Sequence, residues 1–238
     1  WPGNICGGEM VRRSGSTGAG LLQAAADFRY LLNRGYPREA SLTLVGNRYD
    51  LDRTSRQLLH RGVFAQEVAQ ARRARLRPLE ELAGRALALD GHNVLITLES
   101  ALRGLPLVLA DDGFIRDVAA ISRAYRGSAA TSRALELLAA YLARHQVGPL
   151  TVLYDAPLKK SGELARLTAK VLSARDLFVT SRAVPVPERE LLAFPGPVAT
   201  SDTHLIDLKD LVVDVAGEII RTVLHPQDLK VLKLLPEG

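Results

Sequence analysis

Hydrophobic and polar positions follow two rhythms along this chain, and the change falls near residue 85. Leu21, Leu22, Ala25, Phe28, Leu31 and Leu32 recur at the three- and four-residue steps of one helix face, and Gly35 supplies the stop. Pro37 suits the first turn of a second helix, where a missing N–H costs nothing. That helix carries Ala40, Leu44 and Val45 and ends near Tyr49. Asp50 or Asp52 caps a third helix containing Leu58 and Leu59, stopped near Gly62. Residues 21–64 therefore read as a small helical domain with helix-turn-helix-like proportions. Residues 65–84 read as one more helix or a linker, interrupted at Pro78. The first 20 residues show no hydrophobic period, are dense in Gly and Ser, and read as a flexible leader. That stretch lacks the apolar core of a secretory signal, and Met10, the single methionine, is a candidate natural start.

Beyond Arg85, short apolar runs alternate with amphipathic stretches. Candidate strands are RALAL before Asp90, LPLVLA before Asp111, PLTVLY before Asp155, DLFVTS, and GPVAT before Ser201. Candidate helices span 92–102, 114–125, 129–144, 162–174 and 207–223. Strands alternating with helices of this length predict an α/β fold for 85–238, a three-layer α/β/α domain with a mostly parallel sheet. Ligands of such sheets bind at the carboxyl ends of the strands.

Composition narrows the class. With 47% hydrophobic residues the chain can cover a core, so wholesale disorder is excluded. No run reaches the roughly 18 apolar residues of a membrane span. The single Cys6 excludes an internal disulfide and a cysteine-rich zinc site. A soluble cytoplasmic protein is the expectation. Charge is uneven: residues 1–84 hold 13 arginines and no lysine against 8 acids, whereas 85–238 balance 18 basic with 18 acidic residues. The surplus of five thus belongs to the first third and suggests a basic docking part. On the third helix most of Arg53, Arg56, His60 and Arg61 can share one exposed face, with Arg48 shortly before it, as phosphate contacts require. Arg72, Arg73 and Arg75 form the densest basic run. A solvated helix surface would show the same pattern.

The candidate chemistry lies in the acids at strand ends: Asp90 in LDGHN, Asp111 and Asp112 in ADDG, Asp155 in YDAP, and Asp202 in TSD. Parallel strands share one carboxyl edge, so residues far apart in sequence can converge there. Clustered carboxylates repel at reduced dielectric and persist by sharing protons, pairing with cations or holding a metal. Hard oxygen donors select Mg²⁺ or Mn²⁺. The competing reading is helix capping, since Asp90 and Asp112 each precede a predicted helix. Lys159 and Lys160, at the start of another helix, could add attraction for a phosphate. GxxxxGK[ST], GxGxxG after a strand, and GxSxG are all missing, and the five histidines lack zinc spacing.

The blocks DFRYLLNRGYP, LVGNRYDL and RQLLHRGV resemble a small domain of unknown function found in archaeal and bacterial conserved proteins. The motifs LDGHNVLITLES, DDGFIRD, YDAP with SGEL, and VATSD resemble the second domain of such proteins, which is similar to a divergent PIN/NYN-like nuclease domain. The resemblance implies Asp90 as the first-strand acid, Asp155 as the mid-sheet acid, and Asp202 as the late acid with Asp207 following. Asp112 or Asp117 would take the remaining position. Typical members place a helix Glu in the metal set, and here Glu99 follows Asp90 unusually soon.

The expected function is a Mg- or Mn-dependent ribonuclease-like protein with RNA as its partner. Catalysis would rest on Asp90, Asp112, Asp155 and Asp202, with Asp117 and Asp207 in the metal set. The alternatives are a non-catalytic RNA- or ribosome-associated adaptor and a metal-dependent small-molecule phosphatase. Open sheet edges also leave a homodimer as a possible assembly.

Overall fold

The computed structural model describes residues 18–118, 128–224 and 229–234. The leader up to residue 17 and the region 119–127, in which the second predicted helix would have continued, lie outside them. Four helices come first: α1 (Gly18–Asn33), α2 (Arg38–Arg48), α3 (Arg53–Gly62) and α4 (Gln66–Arg75). Asp52 is the cap of α3, its carboxylate accepting from the Ser55 N–H at 2.7 Å. A short 3-10 turn over Leu79–Leu82 leads into the second part of the chain.

That part contains β1 (Leu87–Asp90), α5 (Gly91–Leu102), β2 (Leu107–Leu109), β3 (Ile115–Asp117), α6 (Ala129–Arg144), β4 (Leu150–Asp155) and α7 (Ser161–Ser173). It continues with β5 (Val179–Val184), α8 (Pro187–Ala193), β6 (Val198–Ala199), α9 (Thr203–Leu208), β7 (Val212–Val213), α10 (Val215–Thr222) and β8 (Val231–Lys233). The main sheet has five strands in the order β5-β4-β1-β6-β7, and every pairing in it is parallel. The class is α/β, with an N-terminal helical region and a parallel sheet flanked by helices.

The period of two in the strands sets the layers. Leu87, Leu89, Val152 and Tyr154 face the larger core with α5, α6, α7 and α10. Ala88, Leu153 and Val198 face the opposite way, against Leu191 of α8 and Leu205 of α9.

Three expectations are corrected. The LPLVLA segment forms β2, but outside the main sheet: β2 pairs antiparallel with β3 and parallel with β8. Where a helix over 114–125 was expected, Ile115–Asp117 is a strand. The cause is the turn ADDGF, closed by the Ala110 N–H on the Phe114 carbonyl, with Gly113 at φ +89°. Asp-Gly between apolar runs is a hairpin signal, and glycine adopts this backbone without a Cβ clash. The expected helix over 207–223 divides into the end of α9, then β7, then α10, because Asp214 caps a new helix by accepting from the Gly217 N–H at 2.9 Å.

The small sheet joins the two parts of the chain. Leu107 and Ile115 point into the α/β core, whereas Val108, Val118 and Leu234 pack with Phe28, Val45, Leu58 and Leu59 of the helical region. Among the described residues no helix is long and apolar enough to cross a membrane.

Candidate functional site

At the carboxyl edge of the main sheet, two sequence motifs lock together. Asp90 closes β1 and caps α5, accepting from the Asn93 N–H at 3.3 Å. Its other oxygen accepts from the Thr200 hydroxyl at 3.1 Å, and Thr200 Oγ1 in turn accepts from the Asp202 N–H at 3.0 Å. Asn93 Oδ1 accepts from both the N–H and the hydroxyl of Ser201, at 2.8 and 3.0 Å. LDGHN after β1 and TSD after β6 are therefore held as one unit. His92 reaches the third strand: its Nδ1 accepts from the Asp155 N–H at 3.1 Å and lies 3.7 Å from the Asp155 carboxylate. Neutral His92 consequently carries its ring proton on Nε2. Its ring meets Tyr154 edge-on at 5.0 Å. Between these residues Gly91 is required by space, since a Cβ there would come within 2.5 Å of the Tyr154 ring and 2.9 Å of the Leu153 carbonyl.

Asp90, Asp155 and Asp202 line one cavity of about 30 Å³ with Glu188 of α8, His92 and Asn93. Burial pushes the Asp90 carboxyl up to about 7, and the nearby Asp202 and Glu188 push in the same direction. Asp202 also caps α9, one oxygen accepting from the N–H groups of His204 and Leu205. Glu188 was not singled out from sequence. Strand β5 runs on to Val184, so Glu188 is the acid that follows its carboxyl end, and the strand-end reasoning applied to the other strands would have found it. Glu99 does not line the cavity.

The donor chemistry fits a hard divalent cation: carboxylate oxygens around a space the size of one water. Among the described residues no three His, Cys, Asp or Glu side chains form a ready-made ligand cluster.

Asp112, Asp117 and Asp207 are not brought to this cavity, which corrects the expectation that all strand-end acids converge. Asp112 is fully buried and accepts both terminal nitrogens of Arg116 at 2.8 Å, with Arg72 at 3.4 Å. Asp207 takes a two-pronged pair from Arg72 at 2.7 Å, which holds its carboxyl below the ordinary range. Asp117 pairs with Arg61 at 3.3 Å, and Asp111 takes Arg29 at 2.7 and 2.8 Å. The physical reason is that β2 and β3 lie in the small sheet, where Arg116 of β3 and arginines of the helical region take up Asp111, Asp112 and Asp117, while Asp207 on α9 faces Arg72 of α4. A buried carboxylate paired in this way has its charge and lone pairs already satisfied.

The basic residues divide accordingly. Arg61, Arg72 and Arg75 bind the protein's own acids and carbonyls, and Arg56 donates to the Leu51 carbonyl and to Asn47. The basic run of α4 is thus largely a seam against α9 rather than a free docking face. Arg48, Arg53 and Arg73 are exposed, Arg48 lying 3.6 Å from Asp27. His60 lies 3.5 Å from Glu39, its pKa lowered by burial and by Arg38. Lys159 is exposed, and Lys160 lies 3.7 Å from Glu163; neither lines the acidic cavity.

A layered α/β protein with an acid-lined cavity at the carboxyl edge of its sheet is the class these features define. Residues 79–218 match the family described as "Domain of unknown function (DUF5616)", and the chain belongs to that family. Residues 20–75 match a second family, "Protein of unknown function (DUF434)". The chain is 31% identical over 200 residues to "Uncharacterized protein MJ0935" of Methanocaldococcus jannaschii, covering 83% of this chain and 95% of that one. No solved structure matches the chain.

Proposed function

We propose that this protein is a divalent-cation-dependent phosphodiesterase of the PIN/NYN-like kind, with RNA as its substrate. The observation that carries the reading is the meeting of Asp90, Asp155 and Asp202, from the ends of three adjacent parallel strands, in one cavity. One or two of Asp90, Asp155 and Asp202 would hold Mg²⁺ or Mn²⁺ directly, and water would complete the shell. When bound, the cation supplies Lewis-acid stabilisation of the negative charge on the reacting phosphate. Thr200 and Asn93 fix Asp90, and His92 fixes the Asp155 end of β4, so the carboxylates are positioned before substrate arrives. Glu188, exposed at the rim, would accept the proton of an attacking water.

The test is cleavage of a pool of structured and single-stranded RNA in Mn²⁺ or Mg²⁺. Wild type is expected to cut, and Asp90→Asn to lose at least about 100-fold in rate, since a lost ligand removes several kcal/mol of charge stabilisation. Equal cutting by both proteins, or none by wild type with either ion, would overturn the proposal.

A further inference from the structure

A second cavity, of about 460 Å³, lies between the helical region and the carboxyl edge of the sheet. Four guanidinium groups line it from four elements: Arg38 of α2, Arg61 of α3, Arg72 of α4 and Arg116 of β3. Arg38, Arg72 and Arg116 stand 4.7, 4.5 and 5.3 Å from the centre of the same Phe64 ring. Like charges gathered this closely around an apolar ring need compensation.

Three of the four have it from behind: Arg116 from Asp112, Arg72 from Asp207 and Asp112, and Arg61 from Asp117. Arg38 has no carboxylate in ion-pair contact among the described residues, and donates to the His60 carbonyl instead. Burial, with Arg72 next, lowers the Arg38 pKa to about 10, while Glu39 and Asp111 act the opposite way. The Nε of Arg61 is likewise shut off from solvent and meets no acceptor among the described residues. The wall thus holds one guanidinium with no carboxylate in contact, that of Arg38, and one donor with no acceptor among the described residues, Arg61 Nε.

Its position adds the second half of the argument. Asp202 lines both this pocket and the acidic cavity, and Ser201 and Thr203 line the arginine pocket beside it. A ligand seated among the arginines lies next to the carboxylates that the proposed chemistry uses. Arginine forks suit the three oxygens of a phosphomonoester, whose double charge exceeds that of an internal diester.

We infer that the Arg38–Arg61–Arg72–Arg116 pocket binds a phosphomonoester, the terminal phosphate of the RNA strand whose neighbouring linkage reaches the acidic cavity. The RNA assignment rests on the nuclease reading, whereas the anion site stands on the arginines alone.

The experiment is equilibrium binding in EDTA, so that binding is read without turnover. The ligands are one RNA oligonucleotide carrying a 5′-phosphate, a 3′-phosphate or neither, and a free nucleoside monophosphate. One phosphorylated end is expected to bind at least about tenfold tighter than the unphosphorylated strand, the gain of one well-made charged contact set. Arg38→Gln and Arg61→Gln, each checked by thermal melting, should remove most of that preference, and Lys159→Gln, at an exposed residue outside the pocket, should keep it. If one arginine variant fails to fold, the other decides. A monophosphate binding as tightly as the phosphorylated RNA would support the site and make a free nucleotide its ligand. Equal binding of all strands by wild type, or a preference surviving in a folded arginine variant, would overturn the inference. Phosphate-selective binding without RNA cleavage in Mn²⁺ would sink only the nuclease reading.

Discussion

Asp90 is the residue on which the proposed chemistry leans most, and its cost to the fold is measurable. Its pKa of about 7 in the folded protein stands well above the ordinary 3.8. The folded state therefore binds this proton more tightly than the unfolded state, and stability from this group falls as pH rises from about 4 to about 7. Asparagine can still cap α5 and accept from Thr200 but carries no charge. In EDTA, the stability of Asp90→Asn relative to wild type is expected to grow across that pH window and level off above it. Urea titrations at pH 4, 6 and 8 read this directly, and a constant difference would count against the burial argument. Asp90, Asp155 and Asp202 were legible in the sequence because a strand-end acid needs only a parallel sheet to be gathered. Asp112, Asp117 and Asp207 were misplaced because their arginine partners lie 40 or more residues away, or, for Arg116, on a hairpin taken for a helix.

Among elements, the contact of α4 with α9 shows how a basic run becomes structural. Arg72 is 6% exposed and serves Asp207 and Asp112 together. Arg72→Ala is expected to destabilise the protein by about 3 kcal/mol, the lower end of the cost of orphaning a buried pair, because Asp207 remains hydrated. A shift of the urea midpoint with an unchanged slope would match this, and a change under about 1 kcal/mol would not. Helical periodicity identified α1, α2, α3, α5, α6 and α7 nearly to their ends. It failed at Val212–Val213, since a two-residue strand between Asp210 and Asp214 has too few positions to show a period of two. It failed again at ADDGF, where the hairpin signal was present in the sequence but gave way to the expected rhythm of strand then helix.

At the scale of the whole molecule, the boundary near residue 85 is visible in sequence as a change of rhythm and of charge, yet it is not a break in the packing. The small sheet presents Leu107 to one core and Val108 to the other, and Arg29, Arg61 and Arg72 reach across to Asp111, Asp117 and Asp207. A fragment lacking residues 1–76 would expose Val108, Val118 and Leu234 and orphan those acids. Such a fragment is expected to bind a hydrophobic dye and to melt without a sharp transition, whereas a cooperative melt close to that of the full chain would show the helical region to be an appendage.

The most direct test of the acidic cavity is Mn²⁺ binding, measured by calorimetry on the full chain without RNA. Wild type is expected to bind Mn²⁺, with Asp90→Asn and Asp155→Asn each losing at least about tenfold in affinity, a little over 1 kcal/mol, and Asp117→Asn binding as wild type does. Unchanged affinity in the first two variants, or its loss only in Asp117→Asn, would contradict the assignment of this cavity as the metal site.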